Sequence, residues 1–166
     1  MVEPSSRNLK TVMPPNGASP PVPRPPSHAS PSKWVILVVD DEFDVLESFR
    51  GLLQEALPES EIRTAGSGMQ ALTMLDLADL IVADYRMPAM DGIGLLTRCQ
   101  SLRPQAKRIL VTAFPGPVPE LENRARREAD VAAFVSKGLG PQALANAVLG
   151  VLLPMTGVAH PEDLEA

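Results

Sequence analysis

The sequence predicts an α/β fold: a doubly wound, five-stranded parallel sheet of order 2-1-3-4-5, with helices on both faces. Three observations predict it. From Lys33 onward, short apolar runs alternate five times with segments whose apolar residues recur at helical spacing. Four of the runs end abruptly in polar groups: 35–39 in Asp40-Asp41, 80–83 in Asp84, 109–111 in Thr112 and 132–135 in Ser136-Lys137. Units of this length imply parallel strands joined by crossover helices, and right-handed crossovers between near neighbours leave few other topologies.

The elements follow in order. Residues 34–39 form the first strand. Residues 44–57 form the first helix, with Val45, Leu46, Phe49, Leu52, Leu53 and Ala56 on one face, and Pro58 ends it. Glu61–Ala65 is a short second strand. The second helix spans 68–77, with Ala71, Leu72 and Leu75 inward. Leu80–Asp84 is the third strand. Gly92–Leu102 is the third helix, stopped before Pro104. Lys107–Thr112 is the fourth strand, followed by a proline-dense turn over 114–119. A largely charged fourth helix covers 120–129. The fifth strand is 132–136, and a fifth helix covers 141–153 with Pro141 in its first turn.

Residues 1–32 are of another character. Pro14-Pro15, Pro20-Pro21, Pro23, Pro25-Pro26 and Pro31 stand among Ser, Asn and Gly. Such a composition cannot bury enough apolar surface to offset its ordering entropy, so a disordered, partly polyproline II extension is expected. Residues 33–153 are then the folded domain, and 154–166 a short tail too small to fold as a further domain. At 166 residues, one domain with a real core is expected. The net charge of −5 gives no footprint for nucleic acid. No apolar run reaches the length of a membrane span, and the start lacks the apolar stretch of a secretory signal, so a cytoplasmic location is expected. The single cysteine, Cys99, allows no internal disulfide and reads as a small core residue.

In an open α/β sheet, ligands bind at the carboxyl ends of the strands, near the point where strand order reverses. That point lies between strands one and three, so Asp40, Asp41 and Asp84 converge there. Thr112 and Lys137 close the far side from strands four and five. Three carboxylates in one pocket repel, and a hard divalent cation such as Mg²⁺, which takes oxygen ligands, relieves this. Lys137 and Thr112 suit phosphate oxygens better than metal. Asp84 remains as a nucleophile, since carboxylates form aspartyl phosphates. Each residue alone also has a plain structural use: acids favour helix starts, and Thr and Lys are common in turns.

Taken together, Val38-Val39-Asp40-Asp41-Glu42, Asp84-Tyr85-Arg86-Met87-Pro88 with Asp91-Gly92, Val111-Thr112-Ala113 and Phe134-Val135-Ser136-Lys137 resemble the receiver domain of two-component response regulators, in its stand-alone, chemotaxis-regulator-like form. The resemblance spans about 33–153 and implies a flavodoxin-like, three-layer α/β/α fold. It implies that Asp84 accepts a phosphoryl group from the phosphohistidine of a histidine kinase or histidine phosphotransfer protein. It implies that Asp41, Asp84 and the main-chain carbonyl of Arg86 bind Mg²⁺ directly, that Asp40 acts through water, and that Thr112 and Lys137 bind the phosphoryl oxygens. Phe134 holds the place of an aromatic switch that turns inward as Thr112 moves. Arg86 and Phe114 stand where side chains line the path of the attacking water.

The pattern departs from the family at Gly138, which follows Lys137 where proline is usual, and this puts the loop after the fifth strand in question; Leu139 and Leu144 keep the expected spacing. The implied function is a single-domain response regulator acting through an unknown downstream protein, with only self-catalysed phosphoryl transfer to and hydrolysis from Asp84. It would be a monomer or a weak homodimer through helix four, strand five and helix five. The alternatives are a phosphorelay shuttle or phosphate sink, or a binding module that never takes phosphate. A metal-dependent phosphatase on a related fold would want an acid where Arg86 stands.

Overall fold

The computed structural model describes residues 33–153. The proline-rich extension expected over 1–32 and the tail expected over 154–166 lie outside the described residues. The elements are β1 (Val35–Val39), α1 (Phe43–Ala56), β2 (Glu61–Ala65), α2 (Gly68–Leu72), β3 (Leu80–Asp84), α3 (Gly92–Leu102), β4 (Lys107–Thr112), α4 (Pro119–Ala129), β5 (Ala133–Ser136) and α5 (Pro141–Leu152), with a 3-10 turn at Lys137–Leu139. All four strand pairings are parallel, in the order β2-β1-β3-β4-β5. The predicted fold class and strand order therefore stand.

Period-two alternation sorts the strand side chains into two cores. Leu37, Val39, Ile81, Ala83 and Leu110 face a layer that includes Ala71, Leu95, Leu96, Cys99, Leu121 and Ala125 from α2, α3 and α4. Ile36, Val38, Leu80, Val82, Ile109, Val111 and Val135 face Leu46, Phe49, Leu53, Leu144 and Val148 from α1 and α5. β1 and β3 are buried along their whole length, which is why they read as continuous apolar runs. Each buried Leu, Ile or Val contributes about 1.5–3 kcal/mol, so these two layers outweigh any single polar contact described below.

Three local findings differ from the sequence reading. α2 stops at Leu72 rather than 77. Its end tightens into i→i+3 bonds, Thr73 N–H to Gln70 O (3.0 Å) and Met74 N–H to Ala71 O (2.9 Å), and Thr73 Oγ1 also donates to Gln70 O (2.7 Å). Arg63, from β2, donates to Met74 O and Asp76 O and so satisfies two carbonyls of the segment that follows α2. Ala56 is exposed, because the buried face of α1 is the narrower stripe Leu46, Phe49, Leu53. The chain after β5 forms a 3-10 turn, capped by Ser136 Oγ, which accepts from Gly138 N–H.

α4 is held by a thin apolar stripe, Leu121, Ala125 and Ala129. Its C-terminus is fixed by the buried Arg108, which donates to Ala129 O (2.7 Å) and Ala106 O (2.7 Å) and pairs with Asp130 (2.9 Å). Cys99 is fully buried, and burial pushes its thiol up to about 11, so it is an inert core residue as expected.

Candidate functional site

Strand parity decides which side chains meet. Asp40 continues the alternation of Ile36 and Val38, Asp84 that of Leu80 and Val82, and Lys137 that of Val135, so all three belong to the α1–α5 side. They meet at the carboxyl edge of the sheet. Lys137 Nζ lies 2.7 Å from Asp40 Oδ2 and 3.0 Å from Asp84 Oδ1. Main-chain donors fix the remaining oxygens: Glu42 N–H donates to Asp40 Oδ1 (2.9 Å) and Arg86 N–H to Asp84 Oδ2 (3.0 Å). Asp40 and Asp84 are buried, whereas Asp41 is exposed.

Burial pushes the Asp84 carboxyl above its ordinary range; the bond from Lys137 opposes this, and the nearby Asp40 charge adds to it. Burial disfavours the Lys137 ammonium, but its bonds to Asp40 and Asp84 outweigh that, and the lysine is held above its usual range. It is therefore cationic at any physiological pH. One lysine faces more carboxylate charge than it can neutralise.

Oxygens of Asp40, Asp41 and Asp84 lie within 4.8 Å of one another, a set able to hold a metal ion. Asp40 Oδ2 has no hydrogen-bond partner beyond its ion pair with Lys137. An all-oxygen, carboxylate-rich donor set suits a hard cation such as Mg²⁺ rather than a thiophilic metal.

The loop after β3 is shaped by close approach. Gly92 N–H donates to Tyr85 O (2.9 Å), and a Cβ on Gly92 would collide with the Asp84 carbonyl oxygen. Asp91 caps α3, accepting from Gly94 N–H at 2.7 Å. Ala89, at φ 66°, takes the left-handed turn between them.

The remaining expected site residues lie on the other side. Thr112 shares parity with Leu110 and pairs in register with Ser136. Thr112, Phe134 and Ser136 border a cavity of about 300 Å³ with Val118, Leu121 and Leu139. Thr112 makes no side-chain hydrogen bond to the carboxylates. Phe134 is half-buried beneath the Arg126 guanidinium, 4.8 Å from its ring centre. The exposed Arg86 side chain lies over the Phe114 ring at 5.6 Å, and Tyr85 flanks that ring at 6.3 Å.

Two residues went unsingled by sequence reasoning. Glu42 reaches Lys137 Nζ at 3.4 Å, a contact foreshadowed only by its place beside Asp40-Asp41. Ser136 Oγ donates to Phe114 O at 2.6 Å, for which the sequence carries no signal.

Comparison with known proteins agrees with this geometry. The family model for the response regulator receiver domain matches residues 36–149. The cyclic di-GMP phosphodiesterase response regulator RpfG of Xanthomonas campestris pv. campestris is 30% identical over 111 residues, 66% of this chain and 29% of that protein. Sporulation initiation phosphotransferase F of Bacillus subtilis is 34% identical over 83 residues, 48% of this chain and 64% of that protein. The chain thus spans less than two thirds of either relative. Among solved structures, a CheY-like response regulator receiver domain protein from Methanospirillum hungatei JF-1 superposes with TM-score 0.64 at 26% identity, covering 73% of this chain and 94% of that one. The signal receiver domain of an HD domain-containing protein from Pseudomonas fluorescens Pf-5 gives TM-score 0.61 at 30% identity, covering 72% and 94%. With the acidic edge, the sheet order and the family match in agreement, this chain belongs to the receiver domains of response regulators.

Proposed function

We propose that Asp84 accepts a phosphoryl group from the phosphohistidine of a histidine kinase or histidine phosphotransfer protein. The observation that carries this reading is the Asp84 carboxylate, buried at the end of β3 and held between Lys137 Nζ and Arg86 N–H in a group of three acids. An Asp84 oxygen forms the new O–P bond as the N–P bond of phosphohistidine breaks; the electron pair stays on the imidazole nitrogen, which takes up a proton. Asp41, Asp84 and the Arg86 carbonyl would hold Mg²⁺ directly and Asp40 through water. Bound there, Mg²⁺ would offset the negative charge of the incoming phosphoryl oxygens. Lys137 already stands at the Asp84 oxygen and orients the group by charge. Thr112 supplies a hydroxyl donor from β4, and Phe134 is the aromatic that responds to its movement.

In this reading residues 33–153 work as a complete receiver, in a cytoplasmic setting; no helix among the described residues is long and apolar enough to cross a membrane. The output is a changed surface at α4, β5 and α5, read by a downstream protein or by a weakly associating second copy, without nucleic acid. The likeness to a phosphotransferase favours a second reading, a relay shuttle that passes the group on to another histidine.

Incubation with phosphoramidate and Mg²⁺ is expected to add one phosphoryl group by mass. Asp84→Asn is expected to abolish it, and undiminished labelling of that variant overturns the assignment. Return of the group to an unphosphorylated histidine phosphotransfer protein separates the relay from the end-point switch. Protein lacking residues 1–32 is expected to label as the full chain does.

A further inference from the structure

The segment 113–118 between β4 and α4 contains Pro115 and Pro117, and α4 itself opens on Pro119. Proline nitrogens donate nothing, so this segment has few ways to be fixed. Among the described residues, one hydrogen bond ties it to the neighbouring strand: Ser136 Oγ donates to Phe114 O at 2.6 Å, across 22 positions. The same oxygen accepts Gly138 N–H at 3.2 Å and so caps the 3-10 turn that begins at Lys137. A hydroxyl has one proton and two lone pairs. Here the proton is committed to the loop and a lone pair to the lysine turn. Ser136 therefore joins the residue that grips Asp84 to the loop that carries Phe114. The Phe114 ring lies against the Arg86 guanidinium and Tyr85, which border the same open pocket as Asp41.

We propose that the Ser136 hydroxyl is a positioning group for the chemistry at Asp84: by anchoring the Phe114 carbonyl it holds the Phe114–Arg86 pair over the pocket mouth, and so limits how fast small phosphodonors and water reach the carboxylate. This rests on Asp84 being the phosphoacceptor. Ser136→Ala removes both bonds without altering the side chains of Lys137, Asp40 or Asp84. Gain of phosphoryl from phosphoramidate and its loss to water are expected to rise together by about 2–10-fold, the factor one hydrogen bond commands. Ser136→Thr keeps the hydroxyl and is expected to restore both rates.

The test uses the full chain carrying 4-fluorophenylalanine at its four phenylalanines. The Phe114 resonance is assigned by its loss in Phe114→Leu. In Mg²⁺-free protein, Ser136→Ala is expected to shift the Phe114 line, Ser136→Thr to return it, and the α1 residues Phe43 and Phe49 to stay unmoved, which reports intact folding. The two rates are then measured on the same variants. A Phe114 line unmoved in Ser136→Ala overturns the proposal, as do unaltered rates or a change in only one of them. Label lost in Asp84→Asn alongside unaltered Ser136→Ala rates overturns this proposal alone. Label persisting in Asp84→Asn overturns the phosphoacceptor reading and this proposal with it.

Discussion

On the α1–α5 side of the sheet edge, Asp40, Asp84 and Lys137 are locked by two ion pairs and two main-chain N–H bonds, against strands with no solvent exposure to speak of. On the α4 side, Thr112, Phe134 and Ser136 border a cavity, the loop above them is rich in proline, and, among the described residues, a single side-chain hydrogen bond spans it. The charged side is preorganised, so whatever binds there meets ligands already aimed. The open side has room to move, and elements that rearrange are drawn from such sparsely bonded regions. A receiver needs both: a fixed acceptor and a nearby surface with two arrangements.

The contrast between tight and open packing is tested most strongly with one methyl group in each of two loops, the one after β3 that shapes the Asp84 end of the sheet and the proline-rich one after β4. Gly92→Ala places a Cβ against the Asp84 carbonyl and the Leu110 side chain, with backbone as the obstacle, so a loss on the order of 2–3 kcal/mol is expected. Gly116→Ala, in the loop before α4, meets nothing within 4 Å, and Gly116 does not need a positive φ. Its effect is expected within about 0.5 kcal/mol of zero, or slightly stabilising through the unfolded chain. Urea unfolding of the two variants measures the difference. Equal losses would mean that the two loops are equally packed.

Next in size is metal binding. Asp41→Ala deletes an exposed carboxylate of the three-acid group, and Mg²⁺ affinity is expected to fall more than about tenfold, roughly 1.4 kcal/mol. Asp40→Asn is expected to cost less, because Asp40 is already engaged by Lys137 and Glu42 N–H. Titration calorimetry reads both; Trp34 lies at the opposite end of β1 and is a poor optical reporter. Unchanged affinity in Asp41→Ala would place the metal elsewhere.

The acidity of Asp84 gives a smaller, signed effect. Its folded-state pKa is raised, so between the unfolded and folded values the native state binds more protons. The stability that protonated Asp84 contributes is fully present below the ordinary aspartate range and is lost as pH rises through the folded value. Asp84→Asn is therefore expected to raise the melting temperature of Mg²⁺-free protein at neutral pH, with the gain shrinking as pH falls toward that range. A gain independent of pH would mean that charge burial is not its source.

The strands were legible because their chemistry is local: an apolar run ending in Asp84 or Asp40 is visible in consecutive residues. The carboxylate cluster followed from topology alone. What was not legible depends on partners distant in the chain. The segment after α2 is held by Arg63 reaching from β2 to Met74 O, and nothing in the α2 sequence announces it. Glu42 meets Lys137 across 95 positions. The departure at Gly138 left the loop after β5 open to question, and the answer lies in its neighbour, since Ser136 caps the turn.

The smallest effect concerns how long the phosphoryl group would stay. Water attacking a phosphoaspartate benefits from a general base or an orienting carboxylate near its path. Arg86 and Phe114 offer neither, and the structure stacks the Arg86 guanidinium on the Phe114 ring, with Arg86 lining the pocket that holds Asp41 and Phe114 resting on the core beside Tyr85. Rather than reaching toward Asp84, the guanidinium covers the ring, so the pair acts as a partial cover. Self-dephosphorylation is therefore expected to be slow, nearer hours than seconds. A cation–π contact at an exposed site contributes about 0.5–1 kcal/mol, so Arg86→Ala is expected to speed decay only about 2–5-fold. Phe114→Glu removes the same contact and adds a carboxylate able to orient water, so it is expected to exceed Arg86→Ala. The measurement is decay of label after donor removal. Loss within seconds from the unmodified protein would show that the cover stands open.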